Sequence, residues 1–329
     1  MKKKIVVTRT PLRISFFGGG TDISSFYKKY SGDIFSTTIN KYIYVTVKEH
    51  GKIFSQKYRL NYSISERKKN INDIKNNIIR ETIRYLKIHR PLYISSVGDV
   101  PNKSGLGSSS SFTVGLIKAL YELESKKISK KELAELACKI EIEILKNPIG
   151  KQDQYAAAYG GLNHISFFKN SRVKVSYKKN YIKFIKKIFN NSLLLYTGIT
   201  RNASDILAAQ KKQKEVFDKL IRIKKICNEF IKIKNKKLSL KIFQDYLDES
   251  WKIKKDLTNK ISNYKINKIY RLSKLNGAKS LKLLGAGGGG FFFILIDKNK
   301  KKLFKKNMSK YKFLDLKYEN EGSKVILSN

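Results

Sequence analysis

The chain has 329 residues, of which 41% are hydrophobic and 12% aromatic, so it can bury a sizeable core and is not a disordered protein. It carries 70 Lys and Arg against 26 Asp and Glu, a formal net charge of +44. These cations are spread along the chain and no known nucleic-acid module is visible. We therefore expect attraction for small phosphorylated molecules and no specific nucleic-acid partner.

The cysteines and the hydrophobic runs bear on location. Cys138 and Cys227 are far apart and only three histidines are present, so neither a disulfide framework nor a zinc site is supported. This pattern predicts a reducing, cytoplasmic setting. The start at 1–8 is too short for the apolar core of a signal peptide, and the longest apolar run, at 291–296, is too short to span a bilayer. No membrane partner is expected.

The first informative element in chain order is a strand-like stretch at 10–17 that runs into three glycines and a carboxylate, Asp22. Apolar residues alternate along the stretch as in a strand, and Arg13 lies inside this alternation. The pattern leaves open whether Arg13 faces a site or solvent. An alternative role for Asp22 is an Asx-turn that closes the glycine loop.

A glycine-serine turn at 101–111 leads directly into an apolar segment of helical period. Gly105 and Gly107 let backbone N–H groups approach an oxyanion, and Ser108 can cap a helix whose N-terminus favours negative charge. Leu106 between the glycines suits the wall of a nucleotide site. The spacing matches neither a P-loop nor a dinucleotide-binding fingerprint. Taken alone, the turn is as compatible with a flexible loop or an ordinary helix cap.

The segment 131–145 has the period of an amphipathic helix. Glu141 borders its apolar stripe beside small residues, whereas Glu143 falls among charged ones. A carboxylate flanked by small residues at the edge of a core is favoured to face a site. The alternative for Glu141 is a surface salt bridge.

The segment 150–161 joins glycines at both ends to Asp153 and a run of small side chains. Small residues would let a substrate approach the carboxylate. On these residues alone, the favoured role of Asp153 is to cap the helix that starts there. Farther on, we expect a buried strand at 192–196, lysine-rich helices across 203–275, and a glycine run at 282–293 that could equally be a hairpin turn.

Taken together, the three glycine-rich segments resemble the GHMP kinase family of ATP-dependent small-molecule kinases. The resemblance covers nearly the whole chain and rests on motifs at 11–22, 101–111 and 279–291, of which the middle one is the most specific. Galactokinases differ at the first motif, where Gly-Glu-His-Thr-Asp is usual and this chain has three glycines before Thr21 and Asp22.

The resemblance implies an α+β fold in the two-domain GHMP kinase architecture. A ribosomal-protein-S5-like N-terminal domain would span residues 1–185 and carry the nucleotide and catalytic motifs. A ferredoxin-like C-terminal domain would span residues 186–329 and carry the third glycine motif. A homodimer is left open.

The resemblance also implies a sugar kinase that uses ATP and Mg²⁺ to phosphorylate the anomeric hydroxyl of a sugar phosphate, which feeds an activated sugar for surface polysaccharide. Asp153 would accept or orient the hydroxyl proton, with Arg13 beside it to keep the carboxylate ionised. Ser109 and Glu141 would hold the metal, and the run of serines leaves open Ser108 or Ser110 in place of Ser109. The nucleotide would contact Lys103, Ser104, Gly105, Leu106, Gly107, Ser108, Ser109 and Ser110.

The predicted substrate contacts come from all three motifs and from two basic residues. Asp22 would hold sugar hydroxyls, with Thr21 helping. Lys151 and Arg201 flank turns near the expected site and are predicted to meet the sugar's phosphate. The full predicted set is Gly19, Gly20, Thr21, Asp22, Lys151, Arg201, Gly287 and Gly288. Two alternatives stay open: a kinase for another, fucose-like sugar, and a catalytically silent basic binding protein.

Overall fold

The structure, a computed structural model, describes residues 4–51, 53–200 and 214–329. Its strands in chain order are β1 (Ile5–Phe17), β2 (Gly32–Glu49), β3 (Tyr58–Asn61), β4 (Ser65–Lys68), β5 (Leu92–Gly98), β6 (Leu162–Phe167), β7 (Val173–Tyr177), β8 (Ser192–Tyr196), β9 (Ser280–Leu283), β10 (Phe291–Leu295), β11 (Lys312–Leu314), β12 (Tyr318–Glu319) and β13 (Lys324–Ser328). Within the described residues, β1–β7, β12 and β13 form a nine-stranded sheet and β8–β11 a four-stranded sheet.

The α-helices lie between these strands and over the sheets. In chain order they are α1 (Ser24–Tyr30), α2 (Asn77–Tyr85), α3 (Ser108–Leu123), α4 (Lys130–Cys138), α5 (Gln152–Tyr159), α6 (Ile182–Asn190), α7 (Lys214–Lys232), α8 (Leu240–Lys255), α9 (Tyr264–Leu275) and α10 (Lys301–Asn307). None of the helices in the described part of the chain is long and apolar enough to cross a membrane.

The larger sheet is organised around β2, the longest of the described strands. It pairs antiparallel with β1 from Ile5 opposite Lys48 to Phe17 opposite Phe35. On its other edge it pairs first with β6 and then with β5. Helix α3 packs on β1 and β2, and α5, α7 and α8 also contact β1. Arg13 is therefore only 4% exposed, which answers the question that its place in the alternation left open.

The smaller sheet has the strand order β11-β8-β10-β9, and all its pairs are antiparallel. Helices α7, α8 and α9 separate β8 from β9, and α10 separates β10 from β11. This is the β-α-β-β-α-β plan of a ferredoxin-like domain, as expected. The glycine run at 282–293 connects β9 to β10 and is a hairpin as well as a motif.

Aromatic side chains join the two sheets. Phe16 on β1 makes edge contacts with Phe243 of α8 and Phe293 of β10, at ring-centroid distances of 5.3 and 5.6 Å. Phe17 packs 4.6 Å from Phe230 of α7. The three glycines of the first motif follow Phe17 directly. This buried aromatic cluster therefore fixes the glycine loop against the C-terminal helices.

The last two strands, β12 and β13, return to the larger sheet and pair with β2 and β1. The chain after β11 therefore packs with the N-terminal sheet. The division into domains at residues 185 and 186 stays a prediction.

Candidate active site

The three glycine motifs meet at one cavity of about 300 Å³ between the two sheets. Helices α7 and α8 contribute to its wall through Ile223, Ser250, Lys254 and Leu257. Most of the residues singled out in the sequence line it: Arg13, Gly19, Gly20, Asp22, Lys103, Gly105, Gly107, Ser108, Ser109, Ser110, Glu141, Asp153 and Gly287.

Asp153 and Arg13 form a bidentate ion pair in this cavity. Arg13 Nε donates to Asp153 Oδ1 at 2.7 Å and Nη2 donates to Oδ2 at 2.8 Å, while Nη1 donates to the carbonyl of Gly105 at 2.7 Å. Paired donors of this kind set the plane of the carboxylate. Asp153 is the second residue of α5 and does not cap it. Each carboxylate oxygen retains a lone pair that can accept a substrate hydroxyl.

The glycine-serine turn packs directly against this ion pair. Gly107 is in the left-handed region with φ of 81°, and a Cβ there would lie 3.3 Å from Asp153 Oδ2. Gly107 is the N-cap of α3, so the expectation that Ser108 caps the helix is wrong, and Ser108 is its first residue. The opening N–H groups of α3 have no helical partner, and Ser108, Ser109 and Ser110 around them line the cavity. This is an anion-binding geometry.

Glu141 is fully buried in a π-helical stretch, Lys139–Ile144, that continues α4. Its Oε1 accepts from the Ser109 hydroxyl at 3.2 Å, and its Oε2 accepts from Gln154 Nε2 at 2.7 Å. Burial raises the pKa of Glu141 to about 7. The pattern predicted one α-helix over 131–145, and the wider turn that carries Glu141 is a departure from it, of a kind common at functional sites.

The donor set around Glu141 fits Mg²⁺. Glu141 makes no ion pair with a cation among the described residues, and its carboxylate and the Ser109 hydroxyl are hard oxygen donors that line the cavity. The described residues form no cluster of three or more His, Cys, Asp or Glu side chains that could hold a metal ion alone. A cation here would take its remaining ligands from phosphate and water, as Mg²⁺ commonly does.

Asp22 also lines the cavity and is 1% exposed. Its Oδ2 accepts from the backbone N–H of Gln152 at 3.0 Å, and its Oδ1 lies 3.3 Å from the N–H of Gly20. Burial raises the pKa of Asp22 to about 6, and the negative charge of Asp153 acts in the same direction. The contact with Gly20 shows that Asp22 also closes the glycine loop.

The raised pKa of Asp22 predicts a pH-dependent penalty in stability. From 3.8 in the unfolded chain to about 6 in the folded protein, the folded state binds the proton more tightly, so stability falls as pH rises from 4 to 7. The full penalty is about 3 kcal/mol. We expect Asp22→Asn to gain stability relative to the unmodified protein across this window, with no further gain above pH 7. Urea unfolding at pH 4, 5.5 and 7.5 measures it, and a constant difference would refute the assignment.

Gly150 is required because its missing side chain makes room for Asp22. A Cβ at position 150 would lie 1.9 Å from Asp22 Oδ2. We expect Gly150→Ala to displace the carboxylate and to lower the free energy of unfolding by about 1–3 kcal/mol. Gly51→Ala is the matched control, because nothing lies within 4 Å of a Cβ there. Thermal denaturation compares the two, and equal melting temperatures would contradict the packing described.

The second and third glycine motifs touch through their backbones. A Cβ on Gly105 would lie 2.8 Å from the carbonyl oxygen of Leu284, and a Cβ on Gly285 would lie 2.6 Å from Gly105 Cα. A Cβ on Gly290 would meet the carbonyl oxygen of Ser104 at 2.2 Å. Side chains at these positions would force the two loops apart, so the glycines allow the glycine-serine turn to pack against the loop between β9 and β10.

Several predicted residues do not line the cavity. The Thr21 hydroxyl lies 2.8 Å from the Gly18 carbonyl oxygen and accepts from the Asp33 amide, so it closes the loop. Leu106 is fully buried in the core instead of forming a nucleotide wall. The residues outside the lining are Thr21, Ser104, Leu106, Lys151 and Gly288. Arg201 lies outside the described residues.

Lys151 points away from the cavity. Its amino group lies 5.3 Å from the centroid of the Tyr27 ring and 3.5 Å from the carbonyl oxygen of Ser171. The structure thus gives this lysine partners on the far side of α5. The choice of Lys151 rested on its proximity in sequence to the motif, which does not determine the direction of the side chain.

Sequence reasoning missed several polar residues that line the cavity. Ser15 and Gln152 share a hydrogen bond of 2.5 Å and both line the cavity, and Lys254 and Lys282 line it from the C-terminal side. A signal existed for Lys254, since it follows Leu247 and Trp251 at helical spacing and so occupies an apolar face.

The cavity joins three features: the Arg13–Asp153 ion pair, the glycine-serine turn at the start of α3, and the buried Glu141. This combination is typical of a phosphotransferase site. The pattern of the GHMP kinases N terminal domain matches residues 76–161, and that of the GHMP kinases C terminal domain matches residues 231–312. The chain belongs to the GHMP kinase family, whose members use ATP.

The relatives are sugar kinases, and this chain is likewise a kinase that transfers phosphoryl groups to an alcohol. It is 37% identical over 297 residues to D-glycero-alpha-D-manno-heptose 7-phosphate kinase of Campylobacter jejuni subsp. jejuni serotype O:2, covering 86% of this chain and 87% of that protein. A galactokinase of Pyrococcus furiosus is 33% identical over 116 residues, which is 35% of this chain and 31% of that protein.

Solved structures show the same fold. A D-glycero-D-manno-heptose 1-phosphate kinase from Bacteriodes thetaiotaomicron superposes with a TM-score of 0.73 at 24% identity, over 98% of this chain and 99% of that one. The Methanococcus jannaschii mevalonate kinase gives a TM-score of 0.71 at 24% identity, over 95% of this chain and 98% of that one. The two-domain α+β expectation is confirmed.

Proposed function

We propose that this kinase phosphorylates the anomeric hydroxyl of D-glycero-α-D-manno-heptose 7-phosphate with ATP to give the 1,7-bisphosphate. The proposed substrate is the one in the name of the Campylobacter relative, which is 37% identical to this chain over most of both chains. The observation that carries the reaction type is the Asp153 carboxylate, held by Arg13 at 2.7 and 2.8 Å beside the turn that would cradle the phosphates.

In the proposed reaction, Asp153 accepts the proton of the anomeric hydroxyl while the hydroxyl oxygen forms a bond to the γ-phosphorus of ATP. The bond from that phosphorus to the β,γ-bridging oxygen breaks, and ADP leaves with the electron pair. Arg13 holds the plane of the carboxylate throughout, because its guanidinium engages both carboxylate oxygens. Asp22 would bind sugar hydroxyls and so fix the acceptor in line.

Mg²⁺ belongs to this proposal and would be held by Glu141 and Ser109. When bound, it neutralises charge on the nucleotide phosphates. The N–H groups at the start of α3 and the loop from Lys103 to Ser110 would bind the phosphates. Gln154 keeps the Glu141 carboxylate oriented through its 2.7 Å hydrogen bond.

The proposed substrate also indicates how the product would be used. A heptose 1,7-bisphosphate would feed nucleotide-activated heptose for surface polysaccharide such as capsule, and the enzyme would act in the cytoplasm, where its ATP is available. The homodimer left open by the sequence stays a prediction.

The substrate is tested by offering the purified protein ATP, Mg²⁺ and a panel of heptose 7-phosphate, unphosphorylated heptose, fucose, galactose and mevalonate. We expect ADP release to be fastest with heptose 7-phosphate. Faster turnover of fucose or galactose would replace the substrate and keep the reaction type. Silence across the panel would favour a binding protein that retains the kinase fold without activity.

A further inference from the structure

Two buried lysines line the cavity from its C-terminal side. Lys282 of β9 is 4% exposed, and its amino group donates to the Phe16 carbonyl and to the Ser250 hydroxyl, the latter at 3.0 Å. Lys254 of α8 is 9% exposed and donates to the carbonyl oxygens of Leu283 at 3.0 Å and Gly285 at 2.5 Å. Lysine is almost never fully buried without an anionic partner, so this pair calls for an explanation.

Neither lysine has an anionic partner within the described residues. No carboxylate oxygen lies within 4.0 Å of either amino group there, whereas the nearby Arg13 is committed to Asp153. The titratable groups that interact electrostatically with Lys254 are Lys282 and Arg13, both cationic. The one that interacts electrostatically with Lys282 is the Cys227 thiol. An ammonium has three donors, and each lysine uses two of them on neutral oxygens. Both amino groups are thus left with a donor for an incoming anion.

We propose that Lys254 and Lys282 form the binding site for the phosphate group of the sugar substrate, a phosphate monoester. This inference rests on the proposed function and specifies its substrate subsite. The nucleotide phosphates already have the α3 N-terminus and its glycine turn. Lys282, by contrast, is bound to Phe16, two residues before the glycine loop that carries Asp22, and so lies on the sugar side.

The protonation of these lysines gives the site a measurable signature. Burial lowers the pKa of Lys282 to about 7 and lowers that of Lys254 well below its usual range, where the positive charges of Lys282 and Arg13 add to the effect. At pH 8 the Lys282 amine is therefore largely neutral in the free protein. A phosphate dianion favours the ammonium form, so binding it at pH 8 should take up protons.

The first test compares Lys254→Met and Lys282→Met with Lys255→Met, an exposed lysine on the same helix. We expect the two buried-site variants to raise KM for heptose 7-phosphate at least about 10-fold, the size of a lost hydrogen bond to a charged group. KM for ATP should stay within about twofold. A rise in KM for ATP with an unchanged KM for the sugar would assign the lysines to the nucleotide and overturn the proposal.

The second test measures binding and does not require turnover. Calorimetry of heptose 7-phosphate binding at pH 8, in two buffers of different ionisation enthalpy, should show proton uptake by the unmodified protein that Lys282→Met reduces. If the unmodified protein does not phosphorylate heptose 7-phosphate, the proposed function fails by itself. Inorganic phosphate is then the probe, and uptake lost in the variants would still support the anion site. Binding without proton uptake would overturn it.

Discussion

The Asp153→Asn variant is expected to lose about 10²- to 10⁴-fold in kcat while its fold and its affinity for ATP are retained. Asparagine keeps the shape of the side chain, and its Oδ1 can still accept from Arg13, but an amide does not take up the hydroxyl proton. Initial rates of ADP release at saturating heptose 7-phosphate and ATP measure the effect. Circular dichroism and nucleotide titration establish that the fold and the binding site persist.

The control for this variant is Asp218→Asn, which makes the same chemical change at an exposed position on α7. It should leave kcat within about twofold, since surface substitutions away from special features are close to neutral. If Asp153→Asn retained more than a tenth of the activity, the carboxylate would not be the proton acceptor. The reaction would then depend on positioning and charge alone.

The Glu141→Gln variant is expected to lose about 10²- to 10³-fold in kcat/KM and to need far more Mg²⁺ for half-maximal activity. The substitution keeps the neighbours of the side chain, Ser109 at 3.2 Å and Gln154 at 2.7 Å, but removes the negative charge that would hold the metal. Loss of metal-ligand charge at several kcal/mol corresponds to this range in rate.

The matched control is Glu143→Gln, two positions along the same π-helical stretch and exposed to solvent. A magnesium titration of both variants separates the two carboxylates. If Glu141→Gln showed the same dependence on Mg²⁺ as the unmodified protein, Glu141 would not be a metal ligand.

The sequence predicted the backbone of the site better than its side-chain directions. Glycine adopts positive φ without strain and lets two backbones approach closely, and the structure brings Gly105 and Gly285 into backbone contact. Leu106 lies between two glycines of the second motif and Lys151 directly follows a glycine, but neither lines the cavity. Their directions depend on packing across elements far apart in the chain, which neighbouring residues do not encode.

The two buried lysines illustrate a different limit. With 70 basic residues in the chain, composition offers no way to single out two of them. Lys254 occupies an apolar helical face and could have been noticed. Lys282 lies in β9, where all four residues are buried. A strand covered on both faces shows no alternation of apolar and polar residues, so a buried lysine cannot be recognised there from the pattern. The π-helical turn at Glu141 likewise follows an unbroken α-helical pattern and depends on the cavity that it faces.

The most direct test of the central claim is to follow the product of heptose 7-phosphate, ATP and Mg²⁺ by ³¹P NMR with proton correlation. The proposed reaction predicts a second sugar phosphate signal that correlates with the anomeric proton, formed in step with ADP and absent with Asp153→Asn. A new phosphate on any other carbon, or ADP formed without a new sugar phosphate, would contradict the account.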